Sequence, residues 1–504
     1  MTDLLIGIDV GTFETKGVLV DASGSVRARA RIRHDIQTPR PGWIEHDADG
    51  VWWHDVVGCS RELMRSVGDG DRVVAMGCSA IGPCVLPIDE ELRPLRAGIL
   101  YGADTRAHEQ VDELTARLGE DEILRRSGNT LSSQSAGPKI LWIRQNEPEV
   151  AERTRWYVTS QSYVVARLTG EVVIDHATAG YFHPLYDLAG GRWNVDGLSD
   201  VVRGEQLPRI AWAGEIVGSV TSAASAETGI PRGTPVIAGT ADAPAEAIAA
   251  SVVSPGDTML MCGSSSFMIR VTDAPLAQRV LWSAPFVFEG MHVAAAGTAT
   301  AGTATRWICD LLGLDARDDD AVFGELVALA GQSPPGAGGV LMLPHLSGER
   351  TPVHDPDARG AFSGLGLATS RADIARALIE GVAHSIARAL GAYDAAGIPP
   401  ERLVAIGGGT KNAILLQTVS DIIGAPLQIA DTDGAALGDA ALAALASGVL
   451  SSPAEVAAWV RLRGTVEPGG DDAPAVRTLR ADHDDHRRLY EALAPIDHAR
   501  STRR

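Results

Sequence analysis

The sequence predicts an α/β protein in two lobes, and three observations carry that expectation. Apolar strand patterns alternate with amphipathic helix patterns along the chain. The opening layout of strand, small-residue turn and strand in "LLIGIDVGTFETKGVLVD" returns in "DTMLMCGSSSFMIRVTD", as a duplication with a cleft between its halves would leave it. The 504 residues, 45% hydrophobic and 21% charged, suffice for two sizeable cores.

Residues 4–10 and 17–21 read as strands around "GTFET", and "DASGS" turns the chain into a third strand at 26–33. A helix follows in "ADGVWWHDVVGCSRELMRSVG" and a strand in "RVVAMGCSA". "TRAHEQVDELTARLG", after Asp104, and "GPKILWIRQNEPEV" read as helices. A second cycle opens near 236, where the strand "PVIAG" leads into the helix pattern "TADAPAEAIAASVV". "TSRADIARALIEGVAHSIARALGAY" has a Ser/Thr start, and "RLVAIGGGTKNAILLQTVSDIIG" reads strand, glycine turn, helix. The polar, Arg/Asp-rich C-terminus reads as an exposed helix with a frayed tail.

The net charge of −20 argues against a protein that holds nucleic acid or an anionic membrane by its bulk field. An anionic ligand must then be gripped locally, by backbone donors or a metal. Lys16, Lys139 and Lys411 are the only lysines against a large arginine excess, which GC-rich coding explains. Five scattered cysteines without a C-x-x-C pair disfavour a disulfide framework or a zinc site. Neither a signal peptide nor an 18-residue apolar span is evident, so the expected compartment is the cytoplasm.

The opening turn is not a Walker A loop, because a strand rather than a helix follows it. Its backbone N–H groups from Gly11 on, the hydroxyls of Thr12 and Thr15, and Lys16 suit phosphate oxygens. Asp9 would repel a bare phosphate; it makes sense either as a partner of Lys16 or beside Mg²⁺, which takes one or two carboxylates plus phosphate oxygens. Asp242 is either a helix cap or a general base at a strand end. Asp104 and Arg106 in "YGADTRA" face a similar choice between helix start and hydroxyl-binding site. "CGSSSF" is either a serine-rich hairpin or a second phosphate contact, and "IGGGTKN" either a tight turn or a close backbone approach to a nucleotide.

The order of these elements, with "LPHLSGERTPVHDPDARGAFSGLGL" between the last two and "GAALGDAALAALASG" near the end, resembles the FGGY carbohydrate kinases, closest to their xylulokinase branch. The resemblance spans roughly residues 4 to 450. It implies two actin-like (ribonuclease H-like) lobes, each a central mixed sheet flanked by helices, closing over sugar and MgATP with the active site in the cleft. The implied division is 1–242 for a sugar-side lobe with the first phosphate hairpin, 243–470 for a nucleotide-side lobe, and 471–504 for a C-terminal helix and tail. The resemblance places Asp9 and Asp242 by the magnesium, through water, and makes Asp242 the base for the sugar hydroxyl. Gly11, Thr12, Thr15 and Lys16 would lie near the terminal phosphates. Gly263, Ser264, Ser265 and Gly302 would meet phosphates from the second lobe, with Gly408, Gly409 and Asn412 flanking the adenosine. Asp104, Arg106 and Gly82 would stand on the sugar side with Asp242.

The chain departs from that pattern in places. "SAIGPC", Ser79 to Cys84, stands where xylulokinases usually carry Gln-Met-His-Gly, so a polar sugar contact is lost and the preferred substrate is open. Phe13 and Glu14 replace hydroxyl residues, and Gly409 replaces a frequent alanine. The expected activity is transfer of the γ-phosphate of ATP, with Mg²⁺, to a primary hydroxyl of a small ketose or polyol, D-xylulose first. L-ribulose, glycerol, a four-carbon polyol or a signalling sugar compete in the same family, and a catalytically silent nucleotide switch competes outside it. The expected partner is a small sugar or polyol, not nucleic acid or membrane, with a homodimer as a family-level expectation.

Overall fold

The computed structural model describes residues 2–314, 319–501 and 503. In chain order the main elements begin with β1 (Thr2–Val10), β2 (Glu14–Asp21), β3 (Val26–Arg33), α1 (His54–Met64), β4 (Asp71–Ala80), α2 (His108–Leu118) and α3 (Ala136–Asn146). Then come β5 (Ile216–Ser219), β6 (Pro235–Ile237), β7 (Thr240–Ala241), α4 (Asp242–Ala249), β8 (Asp257–Cys262), β9 (Ser266–Thr272), α5 (Gly302–Leu311) and α6 (Asp319–Ala330). The last are α7 (Arg371–Ala395), β10 (Arg402–Ile406), α8 (Ala413–Ile423), β11 (Leu427–Asp431), α9 (Ala435–Ala446), β12 (Arg461–Val466) and α10 (Pro474–Ser501). They form two compact units. The first comprises residues up to Pro255, Val271–Ala294 and Thr432–Val460; the second comprises Gly256–Arg270, Ala295–Asp431 and the chain from Arg461.

In the first unit the sheet order is β5-β6-β4-β1-β2-β3, with β7 also paired to β4. β1 lies parallel to β4 and antiparallel to β2, so it is central, and Leu4 through Val10 are buried without a break. A strand covered on both faces reads as one apolar run rather than as an alternation. One cover is α1, whose Cys59 and Leu63 press on Gly17. On the opposite face α9 lies close against the strands, because a Cβ on Gly7 would stand 1.8 Å from the Ala436 carbonyl oxygen and one on Gly77 2.6 Å from that of Asp439. The edge strand β3 does alternate, exposing Arg27, Arg29, Arg31 and Arg33, and that charge guards an open edge.

The second unit contains the order β9-β8-β10-β11-β12. The β8–β9 hairpin is antiparallel, β8, β10 and β11 are parallel, and β12 closes the row antiparallel. α7 begins with a capping box between Ser370 and Asp373. The 28-residue α10 runs to Ser501, and Tyr490 and His498 each hydrogen-bond Asp355 at 2.8 Å. Among the described residues no helix is long and apolar enough to cross a membrane.

Candidate active site

In the first unit the parallel strands bring their carboxyl ends together, the usual ligand-binding edge of an α/β sheet. Asp9 of β1 is in register with Ser79 of β4, and Thr240 of β7 faces Ser79 from the other side. Two residues after Thr240, Asp242 opens α4. It is the first helical residue rather than the cap, which is Ala241, and among the described residues its Oδ1 accepts only from the Ala243 N–H at 2.9 Å. The carboxylate is therefore left for other work. Burial lifts Asp242 to about 6. Burial and then the Asp242 charge lift Asp9 to about 7. Glu246, one turn along α4, rises to about 8 through burial and repulsion from Asp242 and Asp9. Mutual repulsion among carboxylates held out of water is what a cation would relieve. Among the described residues no three His, Cys, Asp or Glu side chains converge as a metal cage. Two carboxylates plus phosphate oxygens remain the donor set that suits magnesium.

The first turn is braced from beneath. His34 Nε2 contacts the Gly11 carbonyl oxygen at 3.1 Å, while its Nδ1 lies 2.7 Å from Asp55 Oδ2. Thr15 does not reach the turn with its hydroxyl. It is buried and donates to Asp55 at 3.0 Å, because strand alternation puts it on the face opposite Lys16. Lys16 pairs with Glu14 at 2.9 Å rather than with Asp9, and Glu14 also binds Arg31. The charge at position 14 thus tethers Lys16 along the strand. Thr12 lies in the turn itself, beside an exposed Phe13.

Gly82 lies beside the strand that leads to Asp242: a Cβ there would stand 3.5 Å from Ala241 Cβ and from Thr178 Cγ2. Arg106 is wholly enclosed. It pairs with Asp104 and Glu45 at 2.6 Å each, with the Trp43 ring centroid 4.2 Å away and that of Trp142 at 5.1 Å. Asp104 also accepts from the Ile44 N–H at 2.7 Å and lines a cavity of about 160 Å³ with Ser133 and Lys139. Burial holds Lys139 down at about 8.

In the second unit the Gly263–Ser265 turn joins β8 to β9, and Gly263 N–H donates to the Ser265 carbonyl at 3.0 Å. The N–H groups of Gly302 and Thr303 donate to the carbonyls of Gly263 and Ser264. A Cβ on Gly302 would lie 2.7 Å from the Gly263 oxygen, so α5 can start here only with glycine. After β10, Gly408 faces open space, whereas a Cβ on Gly409 would meet Cys262 Cβ at 2.7 Å. That contact explains glycine at a position where alanine is the expected residue. Asn412 caps α8 through Leu415 N–H at 3.0 Å. These turns line a cavity of about 640 Å³, with Gly263, Ser264, Gly302, Gly408, Gly409 and Asn412 in its wall and Val327, Ile379 and Leu415 as apolar lining. Its size and mixed lining suit a nucleotide.

Sequence reasoning missed Ser79, Glu246 and Asp439 at the carboxylate site. Asp439, on α9, is fully buried, and its Oδ2 accepts from Ser79 N–H at 2.9 Å and from Ser79 Oγ at 2.7 Å.

Comparison with known proteins fits this geometry. Residues 4–249 match the model of the FGGY family of carbohydrate kinases, N-terminal domain, and residues 258–447 match that of the C-terminal domain. The chain is 29% identical to the xylulose kinase of Escherichia coli, over 98% of this chain and all of that one. It is 31% identical to the glycerol kinase of Bordetella parapertussis, over 92% of this chain and 93% of that one. The crystal structure of xylulose kinase from Rhodospirillum rubrum superposes with a TM-score of 0.91 at 30% identity, covering 98% of this chain and 100% of that one. The fold is the two-lobed, actin-like α/β fold of these kinases. The chain belongs to the FGGY family of carbohydrate kinases.

Proposed function

We propose that the enzyme transfers the γ-phosphate of MgATP to a primary hydroxyl of a small ketose or polyol, D-xylulose first. The observation that carries this reading is Asp242, a half-buried carboxylate that among the described residues is hydrogen-bonded through its side chain only to its neighbour's backbone. Such a group can accept the acceptor hydroxyl's proton as that oxygen bonds to the γ-phosphorus and the bond to ADP breaks. Its acidity near 6 keeps it ionised at neutral pH yet basic enough for the task. Asp9 and Asp242 would hold Mg²⁺ through water, and the ion would offset charge on the transferring phosphoryl group. The N–H groups of Thr12 and Phe13 and the Lys16 ammonium would meet terminal phosphate oxygens, the Gly11 N–H being held by the Glu14 carbonyl at 2.9 Å, and the 640 Å³ cavity would take the nucleotide. Gly82, Asp104 and Arg106 would shape the sugar side, Arg106 by fixing Asp104.

Similarity to xylulose kinases supports xylulose as acceptor. Glycerol is the second reading, favoured by the glycerol kinase relative and by the small residues of the Ser79–Cys84 segment. A panel of ketoses and polyols, followed by coupled ADP release, tests both. D-Xylulose should give the highest kcat/KM. A clear preference for glycerol would replace the first reading, and no ADP release on any acceptor would refute kinase activity.

A further inference from the structure

The alternation of β3 sends Arg27, Arg29, Arg31 and Arg33 to solvent and Ala28, Ala30 and Ile32 inward, where Ile32 Cδ1 lies 2.5 Å from the place a Cβ on Gly58 of α1 would take. The same parity puts His34, just past the end of the strand, on the side of α1. Its side chain is 6% exposed. There Nδ1 stands 2.7 Å from Asp55 Oδ2, in the first turn of α1, and Nε2 stands 3.1 Å from the Gly11 carbonyl oxygen. The His34 backbone N–H donates to the Phe13 carbonyl at 3.0 Å. One residue thus ties down the carbonyls on both sides of Thr12.

The ring is held in place by its surroundings. His46 packs edge-on against it with centroids 5.1 Å apart, and Trp52 Nε1 fixes His46 by donating to its Nδ1 at 3.0 Å. Burial alone would raise Asp55, but hydrogen bonds from His34, His54 and Thr15 outweigh it and hold the carboxyl below its usual range. Both partners of the His34 ring are therefore acceptors, and a ring nitrogen donates to each.

The consequence lies one peptide bond away. In a trans peptide the C=O and the following N–H point in opposite directions. With the Gly11 carbonyl drawn inward to His34, the Thr12 N–H faces outward. The Gly11 N–H is already donated to the Glu14 carbonyl at 2.9 Å. The Thr12 N–H is the next donor along the turn, and its direction is set from below before any anion arrives.

We propose that His34 is a positioning residue for the terminal phosphates of the nucleotide: by holding the Gly11 carbonyl inward, with Asp55 as its anchor, it keeps the Thr12 N–H aimed at a phosphate oxygen. This rests on the placement of the turn beside those phosphates under the proposed function.

The test is calorimetric titration of the full-length protein with two nucleotides in the presence of Mg²⁺, with circular dichroism as a check on folding. One is adenylyl imidodiphosphate, an ATP analogue that does not transfer its terminal phosphate; the other is AMP, which lacks the terminal phosphates. Three substitutions divide the two contacts of the ring. His34→Gln keeps a donor at the place of Nε2, His34→Asn keeps one at the place of Nδ1, and His34→Phe keeps a ring with neither. His34→Phe and His34→Asn should weaken the analogue about tenfold, the loss of one hydrogen bond to a charged group, and leave AMP affinity unchanged. His34→Gln should stay within about threefold of wild type. A packing role predicts instead that His34→Phe is the mildest change, and a role confined to anchoring α1 predicts that His34→Asn is. Either of those orders overturns the inference, and so does equal weakening of AMP. Should His34→Phe not fold, the order of His34→Gln and His34→Asn decides alone. If Lys16→Ala weakens the analogue and the His34 variants do not, only this inference fails. If none of them weakens it, the placement of the turn fails and takes the inference with it.

Discussion

At Asp242 a single carboxylate gives the proposed chemistry a measurable signature. Asp242→Asn keeps the shape and the backbone contact but cannot take a proton, so kcat should fall roughly 10²–10⁴-fold, the range for one positioned base, with ADP affinity kept. Near-normal turnover would remove Asp242 from its role. In the wild type, kcat/KM should fall as pH drops through about 6, where Asp242 becomes protonated. Glu246 makes a prediction about stability instead. Its folded value of about 8 lies above the ordinary 4.5, so between those values the folded state holds the proton more tightly than the unfolded chain does. Stability is therefore lost as pH rises through that window. Glu246→Gln should melt a few degrees above wild type at pH 8.5 and match it near pH 4, which thermal scans at the two pH values would show. The sequence shows Asp9 and Asp242 as acids at strand ends because strand, turn and helix patterns are local. It does not show where Thr15 and Arg106 point. Asp55 and Trp142, which claim those side chains, come from elements tens of residues away.

At the scale of elements, α9 shows what small residues make possible. Its run "AALGDAALAALA" is too evenly apolar to reveal a face, and its fit depends on glycines in other elements as well as its own. A Cβ on Gly438 would stand 1.9 Å from the Ala245 carbonyl oxygen, a backbone atom that cannot swing aside. Gly438→Ala should therefore destabilise the protein by about 3 kcal/mol or more, at the upper end of overpacking costs. Urea unfolding would measure this. A loss below about 0.5 kcal/mol, the level of an ordinary surface change, would mean that the helix shifts freely. The hairpins around Gly11 and Gly263 are legible from sequence because each forms between adjacent strands. Ser79 and Asp439 are not, since they meet across 360 residues.

For the molecule as a whole, the telling fact is that neither unit is one continuous stretch. The first unit takes back Thr432–Val460, including the helix that covers β1 and β4. A fragment ending at Pro255 would keep the strands and lose that cover, exposing a strip of sheet centred on Gly7 and Gly77. Expressed alone it should aggregate or lack a cooperative melt, and adding residues 432–460 as a separate chain should improve its solubility. A fragment with a sharp transition by itself would contradict this. Family membership and the two-lobed class are legible from sequence, because motif order survives where identity falls to 29%. The return of one helix to the opposite unit is not, because no local pattern marks which sheet a small-residue helix will cover.

That returning helix also sets a timetable for synthesis. At roughly 5–20 residues per second, tens of seconds separate the emergence of β1 from that of α9 on the ribosome. Throughout that interval the nascent N-terminal sheet has one face bare, a surface on which a holding chaperone could act until α9 itself emerges.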